Sequence, residues 1–287
     1  MIKKSTLKLL VMILSCSLIL INVSGCRKEE DKRVLLISID GLRSDAVENT
    51  EYGKYLLKNS TYSLEVTAVN PTITLPNHMS MFHSVLPDEH KVKSNTYEPS
   101  KSLGAGINEV VFNRGKTAAL FYNWENIKYV ATKGTTEISK YISGEDNGWE
   151  QSNTLIGEAC IEYITSTPTD FAFLYLGFLD EQGHNYGWLS QEYYYALNES
   201  FSLVESVIDA AFKQNYTVII TSDHGGHDYS HSAGTIQDTI IPLFIIGKGF
   251  KKGNNIGPIS ILDVAPTVID ILNMTPPAYW KGKAIKS

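Results

Sequence analysis

Apolar residues in this chain follow two rhythms. Unbroken apolar runs of strand length fall at 33–40, 117–122, 171–179, 217–222 and 242–247. Between them, near 44–58, 77–84, 102–113, 151–165, 192–213 and 263–273, apolar positions recur every three or four residues, the period of a helix with one buried face. In 192–213 the stripe is Leu197, Phe201, Val204, Val207, Ile208 and Ala211, with Glu199, Glu205 and Asp209 off it. Strands and helices alternating through short links predict an α/β domain over 33–287, with a mainly parallel central sheet flanked by helices on both faces. Residues 123–150 break the pattern with scattered Gly, Thr, Asn and charged residues. They read as loops and short elements covering one side of a site, a reduced insert without its own core.

The first 26 residues form a separate pattern. Lys3, Lys4 and Lys8 precede an uncharged apolar run from Leu9 to about Val23, the layout of a secretory signal. The run ends Val23-Ser24-Gly25-Cys26, which resembles a bacterial lipobox and implies cleavage before Cys26 and lipidation of that residue. Residues 27–32, all charged, read as a tether. The expected location is therefore the cell envelope outside the cytoplasm, with the membrane reached through lipid on Cys26. Without residues 1–26 the chain keeps 22 basic against 31 acidic residues, a net charge near −9. That balance argues against a surface for duplex nucleic acid, which needs clustered Lys and Arg. The remaining cysteine, Cys160, lies in an apolar helical stretch and reads as a small buried hydrophobe.

Candidate chemistry sits where the apolar runs stop. Asp40, Asp180 and Asp223 follow the first, third and fourth runs, and ligands in open α/β sheets bind at the carboxyl ends of strands. Asp180 and His184, four residues apart, share one face if the segment is helical. Ser222-Asp223-His224-Gly225-Gly226 sets two ligand types at a strand end with a freed backbone. Either His227 or His231 completes the set. His231 is favoured because Ser232-Ala233-Gly234 follows it and the next strand begins only at Ile240, leaving His227 further out or at the surface. Carboxylates mixed with imidazoles suit zinc or a similar first-row cation. Pro76 suits the first turn of a helix through Phe82, which puts Thr74 just ahead of an N-terminus that favours phosphate. Tyr122 and Trp124, after a strand, are candidates to stack on a substrate ring, with packing against the covering loops as the alternative.

Taken together, Ile39-Asp40-Gly41-Leu42-Arg43, Pro71 to His78, Leu86 to Val92 with Asn95, Asp180 to His184, Ser222 to Gly225 and His231 resemble the alkaline phosphatase superfamily. The Thr-x-Pro-Asn-His form at Thr74–His78 is similar to its nucleotide pyrophosphatase/phosphodiesterase branch. Asp263 to Thr267 and Gly282-Lys283 resemble the end of that fold. The resemblance implies two Zn²⁺ ions, one held by Asp180, His184 and His231, the other by Asp40, Thr74, Asp223 and His224; Mn²⁺ or Fe is compatible with the same donors. It implies Thr74 as nucleophile, a phosphothreonine intermediate, and Asn95 as donor to a phosphoryl oxygen. Arg43 is structural in this motif. No Cys-x-Pro-x-Arg segment is present, which argues against a formylglycine nucleophile. The expected activity is hydrolysis of phosphodiester or pyrophosphate bonds in a small phosphorylated substrate such as a nucleotide. The alternatives are a phosphomonoester, phosphonate or lipid-headgroup hydrolase of the same superfamily, or a non-catalytic metal-binding lipoprotein.

Overall fold

The strands form one sheet because their apolar runs are buried on both sides. The computed structural model describes residues 32–96 and 104–286. The signal, the lipobox with Cys26, and the tether up to Asp31 lie outside the described residues. Among the described residues, no helix is long and apolar enough to cross a membrane.

The strands are β1 (Arg33–Ile39), β2 (Thr61–Thr67), β3 (Ala118–Tyr122), β4 (Ile138–Tyr141), β5 (Phe171–Leu176), β6 (Tyr216–Thr221), β7 (Ile240–Ile246), β8 (Asn254–Asn255) and β9 (Ile259–Ser260). Their order is β4-β3-β5-β1-β6-β7-β2-β8, with β9 also on β2. β1 pairs parallel with both β5 and β6, and β3 parallel with β4 and β5. β7 runs against β6 and β2. The main helices are α1 (Glu51–Asn59), α2 (Thr74–His83), α3 (Trp149–Ser166), α4 (Phe178–Tyr186), α5 (Gln191–Lys213) and α6 (Val264–Ile271).

Strand alternation sorts the core into two layers. Val34, Leu36, Phe171, Phe173, Tyr175, Ile219 and Leu243 face α2, α6 and the short helix Ile107–Asn113. Leu35, Ile37, Ile39, Leu174, Leu176, Val218 and Ile220 face α1, α3, α4 and α5. The predicted α5 stripe is fully or almost fully buried, and each such Leu, Val or Phe contributes about 1.5–3 kcal/mol of burial free energy. Cys160 is a buried free thiol in α3, as read.

The five expected strands are present, and the differences from the sequence reading have local causes. β2 escaped the apolar rhythm because two of its buried positions are polar: Thr61 donates to the Lys251 carbonyl and Ser63 to that of Gly257. β4 escaped because it is a largely exposed edge strand. It lies inside the segment read as covering loops, which also holds the 3₁₀ turn Glu125–Val130 and the helical turn Gly144–Asn147. The run at 171–179 was read as one strand, but β5 stops at Leu176. Gly177 turns the chain, and Phe178 and Leu179 are buried as the start of α4. The helix expected over 44–58 is broken into Ser44–Val47 and α1, whose N-cap Thr50 accepts from Gly53 N–H.

Candidate active site

Two neighbouring strands and one helix deliver the three carboxylates. Asp40 continues the alternation Val34, Leu36, Ser38 toward the α2 side of the sheet, and Asp223 continues Ile219 and Thr221. Asp180 was expected at a strand end and instead occupies the first turn of α4. Gly41 allows it to come close. Gly41 has φ +72°, and a Cβ there would stand 3.0 Å from Asp180 Oδ1 and 3.1 Å from its Cα. The α4 helix also puts Asp180 and His184 on one face, Nε2 to Oδ2 3.4 Å.

The imidazoles are turned by the backbone. Nδ1 lies 2.9 Å from the Gly225 carbonyl in His224, 3.0 Å from that of Tyr229 in His184, and close to that of Thr72 at 2.6 Å in His231. A carbonyl only accepts, so Nδ1 carries the proton and each Nε2 lone pair is free to ligate. The Nε2 atoms face the carboxylates: His224 is 3.2 Å from Asp40 Oδ1 and 3.3 Å from Asp223 Oδ2, and His231 is 4.0 Å from Asp180 Oδ1. Donor atoms of Asp180, His224 and His231 fall within 4.8 Å of one another, as do those of Asp40, Asp223 and His224. His224 is common to both groups, and His184 joins the first through Asp180. The Asp40–Asp223 end is closed, whereas the side chain of His184 is 39% exposed and opens the other end to solvent.

Thr74 lies beside the closed end, its Oγ1 3.3 Å from His224 Nε2. It was expected just ahead of the helix; α2 begins with Thr74 itself, and the N-cap is Ile73, extended and without a side-chain cap. Asn95 reaches the same spot. Its Oδ1 accepts from Leu75 N–H at 3.0 Å and its carbonyl accepts from the Asn126 amide, which holds the side chain beside the start of α2. His227, the competing histidine, is tied to buried Asp238 at 2.7 Å and belongs to neither donor group. Arg43 is engaged by Asp45 and the Gly226 carbonyl. Of the two aromatic candidates, Tyr122 is only 4% exposed, bonded to Ser139 and stacked on Tyr141, so packing is its role. Trp124 is half-buried beside Tyr175.

Sequence reasoning missed Tyr175, whose hydroxyl donates to Asp40 Oδ2. It also assigned no role to His78, whose ring bridges the Thr74 carbonyl and Ser38 Oγ. Tyr175 lies in the apolar run of β5 and His78 in the buried helix α2, and neither position marks its polar contacts in the sequence.

The electrostatics call for cations. Burial pushes Asp180 up to about 8, with Glu181 adding to it, and Asp40 up to about 7, with Asp180 adding to it. Burial and the charge of Asp40 raise Asp223 well above the usual range. Burial holds His224 and His231 below theirs, so both are neutral, as ligands must be. Asp40 Oδ1, Asp180 Oδ1 and both oxygens of Asp223 are buried with no hydrogen-bond donor. Ionised carboxylates left so would cost several kcal/mol each. Divalent cations bound there would remove that cost, and three carboxylates with three imidazoles are a donor set for zinc or a similar ion. Replacing His231 with Ala should weaken one cation equivalent by roughly 10-fold or more, whereas His227→Ala should leave both unchanged. Calorimetric zinc titration of the two variants checks this, and the opposite ranking would exchange the histidines.

Known proteins resemble this chain in sequence and in fold. The family described as Type I phosphodiesterase / nucleotide pyrophosphatase matches residues 34–244, more than half of the chain. Human ectonucleotide pyrophosphatase/phosphodiesterase family member 1 is 27% identical over 224 residues, covering 68% of this chain and 24% of that protein. Human bis(5'-adenosyl)-triphosphatase ENPP4 is 25% identical over 248 residues, covering 76% of this chain and 53% of that protein. The chain thus spans about a quarter to a half of these relatives. Among solved structures, murine ectonucleotide pyrophosphatase / phosphodiesterase 5, as an inactive variant in complex with AMP, aligns with TM-score 0.69 at 16% identity, over 89% of this chain and 97% of that one. Alkaline phosphatase PafA aligns with TM-score 0.72 at 14% identity, over 89% and 98%. These structures share the alkaline phosphatase-like fold. By the family match, the chain belongs to the type I phosphodiesterase / nucleotide pyrophosphatase family.

Proposed function

We propose that this protein is a divalent-metal-dependent hydrolase of phosphodiester or pyrophosphate bonds that works through a covalent intermediate on Thr74. The observation that carries the reading is the Thr74 hydroxyl at the first turn of α2, 3.3 Å from His224 and beside two groups of bare carboxylates and oriented imidazoles. A binding module has no use for a hydroxyl placed there.

Asp40, Asp223, His224 and Thr74 would hold one cation, and Asp180, His184 and His231 the other. Bound there, such ions lower the pKa of a ligating hydroxyl and offset charge on phosphoryl and leaving oxygens. Thr74 Oγ1 attacks phosphorus in line, and the leaving oxygen departs on the side of Asp180 and His184. The phosphoryl group, with its remaining substituent, is then esterified to Thr74. Attack by water at phosphorus frees Thr74 Oγ1 and the product. Asn95, held by Leu75 N–H, donates its amide to a phosphoryl oxygen. Asn95→Ala should lower kcat about 10²-fold with cation content unchanged. Steady-state kinetics with elemental analysis checks this, and an unchanged kcat would remove Asn95 from the site.

Diesters or pyrophosphates are favoured over monoesters because a monoester dianion needs a further cationic clamp. Among the described residues, no hydrogen bond or ion pair brings Lys or Arg to Thr74 or the three carboxylates, and Arg43 is committed elsewhere. Zinc titrated into apoprotein, with bis(p-nitrophenyl) phosphate and p-nitrophenyl phosphate as substrates, tests the reading. Zinc-dependent diester cleavage is expected. A clear monoester preference would move the protein to the phosphomonoester alternative, and no turnover with either would favour the binding module.

The envelope location belongs to the same proposal and rests on the Lys-rich start, the apolar run and Cys26. Cys26→Ser should move the protein from the membrane fraction to the soluble one; unchanged fractionation would contradict lipid anchoring.

A further inference from the structure

Among the described residues, Asp40 is the only one of the three carboxylates with a side-chain hydroxyl bonded to it. Tyr175 stands at the carboxyl end of β5, where the parallel ladder sets it opposite Ser38 and hence level with the approach to Asp40. Its ring is 2% exposed, held edge-on by His78 at 5.3 Å and flanked by Trp124 at 6.4 Å. Its hydroxyl donates to Asp40 Oδ2. The other oxygen, Oδ1, has no hydrogen-bond donor and looks at His224 Nε2 from 3.2 Å. Asp223 lacks such an anchor: both its oxygens are bare, and His78 Nδ1, 3.6 Å away, spends its proton on the Thr74 carbonyl.

We propose that Tyr175 is a positioning residue for the closed cation site, fixing Asp40 so that it offers Oδ1 alone. This rests on the two-cation reading of the site. The phenol takes one lone pair of Oδ2 and fixes the carboxylate plane, which disfavours swinging to bind a cation through both oxygens. The charge-assisted hydrogen bond also holds the carboxylate in place before any ion arrives. Among the described residues, the open site at Asp180, His184 and His231 has no equivalent. The two sites should therefore respond differently to loss of one hydroxyl, and outer partners of this kind usually change metal affinity by about 10–100-fold.

The test removes the hydroxyl and keeps the ring. Phe already occupies the two preceding positions on the same face, Phe171 and Phe173, so Tyr175→Phe suits the layer. Tyr175→Met, also without a hydroxyl, is the second variant. Tyr216→Phe is the control for a buried tyrosine, because its hydroxyl accepts from Thr169 N–H well away from the carboxylates. Zinc-loaded proteins are titrated with a chromophoric chelator, and cobalt-substituted proteins are compared by visible absorption. Both Tyr175 variants should release one zinc equivalent at about 10–100-fold lower chelator concentration and the other as in the unaltered protein. The cobalt spectrum of that one site should change. Tyr216→Phe should alter neither. Wild-type affinities and spectrum in both Tyr175 variants would overturn the proposal, as would equal weakening of both equivalents. If the unaltered folded protein binds no zinc or cobalt, the two-cation reading itself fails, a result distinct from either.

Discussion

Thr74→Ala is expected to abolish turnover of a phosphodiester, by at least about 10³-fold in kcat, while both cation equivalents still bind. That factor corresponds to about 4 kcal/mol of lost transition-state stabilisation. It follows from a division of labour among the side chains. The Asp and His donors would hold the ions, and their orientation comes from backbone carbonyls and Tyr175 rather than from Thr74. Removing the Thr74 hydroxyl therefore takes away the attacking atom without emptying either donor group. The helix should survive, since the Thr74 side chain does not cap it. Single-turnover kinetics with metal analysis of the same sample checks both halves. Undiminished hydrolysis would exclude Thr74 as nucleophile.

Removing the metal should produce the second large effect, on stability as well as activity. Asp180 and Asp40 titrate near 8 and 7 in the folded apoprotein, because burial and neighbouring carboxylates disfavour their charge. In the unfolded chain a carboxyl titrates at about 4. A raised folded pKa means the folded state holds the proton more tightly. Stability is then complete below about pH 4 and is lost as pH rises through 7 and 8. The stability contributed by the buried neutral histidines, His224 and His231 among them, is lost in the opposite direction, as pH falls below about 6.5. The carboxylate share is therefore read as a difference: Asp180→Asn apoprotein should melt above the unaltered apoprotein by roughly 5–10 °C at pH 8 and by less at pH 5. Divalent cations should reverse the trend, releasing protons as they bind and restoring turnover. Melting curves of apo and zinc-loaded protein across that range test it. Equal melting of the Asp180→Asn and unaltered apoproteins at pH 8 would contradict the buried-carboxylate account.

How much of this was legible in the sequence depended on where the signal lay. The apolar runs announced β1, β3, β5, β6 and β7 because each is buried on both faces. β2 was silent because hydroxyls at Thr61 and Ser63 take buried positions, and a polar residue satisfied by a carbonyl looks like a loop residue in one dimension. Asp40 and Asp223 were legible because a charged residue after an apolar strand has few places to go but the sheet edge. Asp180 was legible as a candidate but misplaced by the apolar start of α4. The preference for His231 over His227 rested on context; in the structure His231 Nε2 faces Asp180, and the His227 imidazole is held by Asp238. Tyr175 was not legible, because its ring satisfies the apolar rhythm and only the three-dimensional ladder shows its hydroxyl at Asp40.

The central claim is that phosphoryl transfer passes through Thr74 rather than directly to water, and the stereochemical course at phosphorus tests it most directly. One diastereomer of an aryl nucleoside phosphorothioate, hydrolysed in heavy-oxygen water by the zinc-loaded protein, gives a product whose configuration can be assigned. Two successive in-line displacements, the first by Thr74 and the second by water, each invert phosphorus, so the account predicts net retention. Net inversion would mean a single displacement by water and would contradict it.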